Sequence, residues 1–94
     1  MIRILLSERI RKTAAKLSPE LRDRVSRSIA DVGEAFGNPH RHHGLGLRKL
    51  ARRSYEIRVH LHWRVVFLHD DNALIAYDVM THDEVAQWLR GQRK

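Results

Sequence analysis

The stretch from Tyr55 to Phe67 reads YEIRVHLHWRVVF. Apolar residues occupy every second position on each side of its centre, and a period of two is typical of β-strands. We interpret the central residues 60–62, His-Leu-His, as a three-residue turn, so the stretch predicts a β-hairpin. A two-residue turn would pair the strands differently, and the turn has no Gly or Asn to distinguish the two cases.

The three-residue turn predicts which residues face each other. Val59 is then opposite Trp63, and Arg58 is opposite Arg64 on the side that faces away from the core. Two opposed arginines repel each other unless an anion lies between them, but the repulsion is only about 0.2–1 kcal/mol. A phosphate site and two arginines that splay into solvent are therefore both open interpretations. The predicted core face carries Tyr55, Ile57, Val59, Trp63, Val65 and Phe67.

The N-terminal half predicts one strand and two helices. Residues 2–6 are an apolar run with strand character, and Ser7 can cap a helix whose apolar residues follow at i, i+4 and i+7 spacing. Ser18-Pro19 predicts a second helix start, because serine is favoured as N-cap and proline at the first helical position. Apolar residues then recur every three or four positions up to Phe36, and residues 37–39 end the helix. We expect the two helices to form an antiparallel hairpin.

The remaining sequence predicts further strands and a last helix. Residues 38–46 are polar and are expected to form a loop, with strand character in 45–50. Residues 73–80 are almost continuously apolar, which is typical of a strand in the middle of a sheet. Thr81-His82-Asp83-Glu84 matches a capping box at a helix start. The predicted fold is α+β, in the order β-α-α-β-β-β-β-α, with a helical hairpin packed on a mainly antiparallel sheet.

Length and composition limit the class of protein. The 94 residues predict a single domain, 1–94, and the absence of cysteine excludes disulfides and thiolate chemistry. We expect no metal and no cofactor. No segment approaches the roughly 20 apolar residues of a membrane span, and no signal-peptide pattern is present, so a cytoplasmic location and no membrane partner are expected. A net charge of +7 favours a polyanionic partner over a basic surface kept for solubility.

The histidines and arginines supply the groups that metal-free cleavage of RNA would require. Such a reaction needs a base for the ribose 2′-hydroxyl, an acid for the leaving 5′-oxygen and cations for the phosphorane. Histidine suits the first two roles, because its unperturbed pKa is about 6.5. For each histidine the alternative is a solvated surface position, and for Trp63 it is a place in the core rather than base stacking. The candidate catalytic residues are Arg64, His82, His62 and His60. The candidate RNA-binding residues are Arg48, Lys49, Arg52, Arg53, Arg58, His42 and His43.

Three segments together resemble the RelE/ParE superfamily of toxins. They are GLRKL at 46–50, YEIRV at 55–59 and WRVVF at 63–67. The resemblance covers nearly the whole chain and implies the RelE-like fold. Members that resemble RelE are ribosome-dependent endoribonucleases, whereas members that resemble ParE poison DNA gyrase. Both kinds are neutralised by an antitoxin encoded beside them.

The resemblance also implies roles for particular residues. Arg64 matches the phosphate-binding arginine of the fourth strand in the RNase branch, and Arg48 and Lys49 match the basic second strand. The sequence around His82 resembles the YafQ and YoeB branches, in which a histidine at the start of the last helix is the general acid. The chain departs from RelE in lacking the C-terminal tyrosine, and from the YafQ branch in having His62 where that branch has an acidic residue.

These features predict a toxin that cleaves messenger RNA on the ribosome. One alternative is a gyrase-poisoning toxin, which needs no acid–base pair. Another is a non-catalytic relic of the fold that only binds RNA or an antitoxin. The expected partners are the ribosome, mRNA and an acidic antitoxin that is partly disordered when free.

Overall fold

The computed structural model describes residues 1–92, which form a five-stranded sheet and four helices. The predicted α+β class and the mainly antiparallel sheet are confirmed. In chain order the elements are β1 (Arg3–Leu6), α1 (Glu8–Ala15), α2 (Pro19–Ala35), α3 (Pro39–Leu45), β2 (Arg48–Ala51), β3 (Ser54–His60), β4 (Trp63–Asp70), β5 (Ala73–Thr81) and α4 (His82–Gln92).

The strands are ordered β1-β5-β4-β3-β2 across the sheet. Strands β2 to β5 pair antiparallel, and β1 pairs parallel with β5. Strand β5 therefore has a neighbour on both sides, as its apolar sequence predicts. Strands β1 and β2 are the two edges.

Helices cover both faces of the sheet at the middle of β4. Helices α1 and α2 pack on one face against a cluster that includes Val65 and Phe67. Helix α4 packs on the opposite face through Val85, against Val66 and Met80. This arrangement explains why three consecutive β4 residues, Val65, Val66 and Phe67, are all fully buried. Within the described range, no helix is both long and apolar enough to cross a bilayer.

The predicted helix starts are confirmed by their caps. Ser7 Oγ accepts a hydrogen bond from the Ile10 amide at 3.0 Å, and Ser18 Oγ accepts one from the Leu21 amide at 3.2 Å. At the start of α4 the Thr81 amide donates to Glu84 Oε1 at 2.8 Å. The Glu84 amide donates in return to Thr81 Oγ1 at 3.2 Å, which completes the capping box.

The expected loop at residues 38–46 is wrong, because the segment contains α3. Asn38 caps this helix by accepting a hydrogen bond from the Arg41 amide at 3.4 Å, and Pro39 occupies its first turn. Gly46 ends it with a left-handed φ of 78°, which glycine adopts without strain. The helix extends to Leu45, so the strand expected at 45–50 is displaced to Arg48–Ala51.

The predicted register of the β3–β4 hairpin is confirmed away from its turn. Arg58 is opposite Arg64, and Ile57 is opposite Val65. The predicted core face is also confirmed, because its six residues belong to or pack against the cluster under α1 and α2. The two arginines accordingly lie on the opposite face, which α4 shares.

The turn itself differs from the prediction. It has two residues, Leu61 and His62, and His60 rather than Val59 is opposite Trp63. The register shifts between Arg58 and His60. A β-bulge accommodates one extra residue in a strand, so the shorter turn and the predicted arginine pairing exist together.

Substitution of a buried leucine should show which residues stabilise the sheet. Leu74 has no exposed surface, whereas Leu61 at the hairpin turn is 68% exposed. We expect Leu74→Ala to lower the free energy of unfolding by about 2–5 kcal/mol, because it loses apolar burial and leaves a cavity. The matched control Leu61→Ala should change it by less than about 0.5 kcal/mol. Urea denaturation followed by circular dichroism measures both, and equal losses would contradict the described core.

Candidate functional site

An open cavity of about 500 Å³ is bounded by α3 and by residues of β2, β3 and β4. We call it the arginine cavity. It occupies the sheet face that carries α4 and lies beside the part that α4 covers. Its lining residues are His43, Gly44, Leu45, Gly46, Arg48, Glu56, Arg58 and Arg64.

Strand pairing brings the charged residues of this cavity together. Arg48 on β2 is opposite Glu56 on β3, and Arg58 on β3 is opposite Arg64 on β4. Residues opposite each other point to the same face, as do residues two apart on one strand. Three guanidinium groups and one carboxylate therefore share a single patch that spans three strands.

Glu56 is the residue of this patch that sequence reasoning missed. It is only 5% exposed, and its Oε2 lies 2.7 Å from Arg48 Nη2. Its Oε1 lies 3.9 Å from Arg64 Nε, which is close enough for an ion pair but too long for a hydrogen bond. Among residues 1–92, no group hydrogen-bonds to Oε1. Oε1 itself has almost no accessible surface, and a buried acceptor without a donor costs about 1–3 kcal/mol.

Arg64 and the other two arginines differ in exposure. Arg64 is 8% exposed, and its Nη1 donates to the Trp63 carbonyl at 3.4 Å. Arg48 and Arg58 are exposed. The cavity thus combines one guanidinium held by its surroundings with two at the solvent boundary.

Helix α3 contributes two of the predicted RNA contacts, His42 and His43, and their surroundings differ. The Gly37 amide donates to His42 Nε2 at 2.8 Å, and the His42 ring stacks on Phe36 with centroids 5.3 Å apart. These contacts attach α3 to the end of α2. His42, a predicted RNA contact, therefore has its ring engaged in internal packing. His43, also a predicted RNA contact, lines the arginine cavity.

A second cavity, of about 400 Å³, contains two of the predicted catalytic histidines. His62 and His82 line it together with Thr81 and Asp83. They meet because Thr81 is opposite Trp63, so the start of α4 lies beside the turn of the hairpin. None of these residues lines the arginine cavity, so the structure brings His62 and His82 together without joining them to Arg64.

His60 lines neither the arginine cavity nor the second cavity. The bulge in β3 places it opposite Trp63, and both residues line a third cavity of about 170 Å³ on the α2 side of the hairpin. The remaining candidates are exposed and line none of these three cavities. They are Lys49 on β2 and Arg52 and Arg53 in the turn that follows it. Across the described chain, no group of three or more His, Asp or Glu side chains is arranged to hold a metal ion.

Comparison with known proteins identifies the fold. No protein-family model matches the sequence, and no curated protein matches it. Among solved structures, the RelB–RelE antitoxin–toxin complex from Methanococcus jannaschii matches with a TM-score of 0.66 and 15% identity, over 89% of this chain and 96% of the matched chain. The chain has the RelE-type toxin fold.

Other structures with the RelE-type fold match over similar lengths. The intact E. coli RelBE toxin–antitoxin complex matches with a TM-score of 0.66 and 19% identity, over 86% of this chain and 96% of the matched chain. The YoeB dimer from Staphylococcus aureus matches with a TM-score of 0.62 and 15% identity, over 86% and 97% of the two chains.

Removal of the carboxylate should strengthen anion binding in the arginine cavity. We expect Glu56→Gln to raise the affinity for a short DNA oligonucleotide about tenfold, or about 1.4 kcal/mol. The repulsion removed is smaller than the roughly 4 kcal/mol between two charges 4 Å apart near a protein surface, because Arg48 and Arg64 already compensate it. Fluorescence anisotropy at fixed salt measures the affinity.

Glu34→Gln is the matched control for this change. It alters the net charge equally, but the Glu34 side chain is 61% exposed and pairs with Arg41 outside the cavity. Solvent screening should keep its effect below about twofold. Equal effects of the two variants would mean that only net charge matters and that Glu56 has no local role.

Proposed function

We propose that this protein is the toxin of a toxin–antitoxin pair and that it cleaves messenger RNA in the arginine cavity. The toxin role is supported by the fold, since solved structures with this fold include RelE in complex with RelB antitoxin. The cleavage role is supported by one observation above all. A single open cavity combines three guanidinium groups, a buried carboxylate with an unpartnered oxygen, and a histidine.

Glu56 is the proposed general base. Its carboxylate lines the cavity and can accept the hydrogen bond that a ribose 2′-hydroxyl donates, and then take the proton as the 2′-oxygen attacks the adjacent phosphorus. The bond between phosphorus and the 5′-oxygen breaks, which leaves a 2′,3′-cyclic phosphate and a 5′-hydroxyl. DNA has no 2′-hydroxyl, so it can bind in the cavity but cannot react.

The three arginines supply the positive charge that the transition state needs. Negative charge accumulates on the phosphorane oxygens, and guanidinium groups match such oxygens in pairs. Arg64 is the main candidate for this role because its burial and its contact with the Trp63 carbonyl hold it in place before substrate binds. Arg48 and Arg58 are exposed at the cavity and are suited to contact the flanking phosphates.

The proton donor to the 5′-oxygen has two candidates. His43 lines the arginine cavity itself and is the one we propose. His82 lies with His62 in the second cavity and is the alternative. Both are exposed, so either ring can exchange protons with solvent between turnovers.

The proposed partners follow from charge and fold. The ribosome and its mRNA are polyanions, which a chain of net charge +7 attracts. The proposed antitoxin carries an acidic segment, partly disordered when free, that covers the arginine cavity and competes with RNA for the same guanidinium groups.

Substitution of Arg64 should test the cleavage role. We expect Arg64→Lys to lower mRNA cleavage on ribosomes about 100-fold or more, because lysine keeps the charge but loses the paired donors. Lysine also leaves Glu56 with a cationic neighbour, so the buried carboxylate is not exposed to the large penalty of losing a partner. Mapping of RNA 5′ ends after expression of the protein measures cleavage.

Arg52→Lys is the matched control, since Arg52 lies in the β2–β3 turn outside the cavity, and it should keep near-normal cleavage. A messenger with a 2′-deoxyribose at the cleavage site should remain intact with the unchanged protein. Intact RNA together with broken DNA would overturn the proposal in favour of a gyrase-poisoning toxin. Folded protein that neither slows growth nor cuts RNA would indicate a binding relic.

The two histidine candidates can be separated directly. Loss of a general acid lowers a rate about 10²–10⁴-fold, so we expect a decrease of that order with His43→Gln. His82→Gln should have a much smaller effect. Cleavage rates on ribosomes measure both, and the reverse order would place the proton donor in the second cavity.

A further inference from the structure

The third cavity has a composition that RNA cleavage in the arginine cavity does not explain. Its residues are Ser18, Glu20, Leu21, Arg24, His60 and Trp63. We call it the tryptophan cavity. It lies where the first turn of α2 meets the first residue of β4, on the face opposite the arginine cavity.

Trp63 is less covered than its neighbours on the same face. Val65 and Phe67 follow it at every second position of β4 and have no exposed surface, whereas Trp63 is only half-buried. Helix α2 starts at Pro19, so cover from the helix begins only with its first turns. Part of a large aromatic side chain is thereby left against an open space instead of the core.

The space has the size and chemistry of a site for one flat ring system. About 170 Å³ corresponds to roughly five or six water molecules at about 30 Å³ each, which is too little for a folded chain segment. Trp63 and Leu21 offer apolar surface, while Arg24 and Glu20 add a cationic donor and an anionic acceptor. A ligand that fits has an aromatic face together with hydrogen-bond acceptors and amino protons at its edge.

We infer that the tryptophan cavity binds one nucleobase of a single-stranded RNA, stacked on Trp63. Proteins commonly recognise unpaired RNA bases by stacking them on aromatic side chains and reading their edges with polar groups. The carboxylate of Glu20 disfavours a phosphate as the occupant. Guanine matches Arg24 and Glu20 best, because an arginine can donate to its O6 and N7 acceptors and a carboxylate can accept from its amino protons. Uracil has no amino group and should bind weakest.

The position relative to Arg64 indicates what such a site would do. Trp63 and Arg64 are consecutive in β4 and therefore face opposite sides of the hairpin. A strand that places a phosphate in the arginine cavity reaches the tryptophan cavity by passing the exposed turn at Leu61 and His62. The base bound there lies away from the reacting phosphate. It contributes affinity and base preference rather than chemistry, and its binding does not depend on whether the proposed cleavage occurs.

Tryptophan fluorescence can test this site directly. The chain has two tryptophans, so Trp88→Phe leaves Trp63 as the single fluorophore. We expect saturable quenching with GMP, weaker quenching with UMP, and none with ribose 5-phosphate, which has the phosphate and sugar but no base. In this background Arg24→Ala should weaken GMP binding about tenfold. Arg22→Ala, a change of the same kind on α2 outside the cavity, should leave it unchanged.

Further measurements distinguish base binding at this site from the proposed cleavage and from the binding of other ligands. Arg64→Lys should keep the GMP response even where mRNA cleavage is lost. A guanine-containing RNA hexamer should bind more tightly than GMP, and the opposite order would overturn RNA as the ligand. Equal quenching by ribose 5-phosphate, or no quenching by any nucleotide in a folded protein, would overturn base binding at Trp63.

Discussion

The ion pairs of Glu56 with Arg48 and Arg64 are the interaction on which the candidate site depends. A buried carboxylate and a buried guanidinium are each unfavourable alone, because both lose hydration, and each is tolerated here because the other is close. The same pairs leave one carboxylate oxygen without a hydrogen-bond donor. Compensation of one carboxylate by several guanidinium groups leaves the arginine cavity positive.

Two layers of packing make this arrangement possible. Helices α1 and α2 cover one face of the sheet, and α4 covers only part of the other. The middle of β4 is therefore buried on both sides, while its first residue, Trp63, is only half-buried beside the hairpin turn. Trp63 and Arg64 lie at that boundary and face opposite ways, so one strand end supplies a residue to two separate cavities.

Positive charge alone does not separate the residues of the candidate site from the rest of the surface. Lys49, Arg52 and Arg53 are as basic as Arg48 and Arg58 but line none of the three cavities described around the hairpin. The distinguishing feature of Arg48, Arg58 and Arg64 is their register beside Glu56. The sequence does place Glu56 in the middle of an alternating strand, on the side away from the core. Its pairing with arginines becomes visible only when the residues opposite it on the neighbouring strands are known.

The sequence by itself determined the elements whose cause is local. Alternation in 55–67 specified the hairpin and its core face, and the Ser18-Pro19 pair and the Thr81–Glu84 box specified helix starts. The Asn38-Pro39 pair carried the same information for α3, although the seven-residue, histidine-rich helix lacks an apolar face. Only the tertiary structure decided which residues line the same cavity: His43 with Arg64, His82 with His62, and His60 with Trp63. The physical reason is that these groupings depend on the position of α3 beside β3 and β4 and on the pairing of β4 with β5, which bring together segments distant along the chain, and on the bulge between Arg58 and His60, which shifts the register of the hairpin.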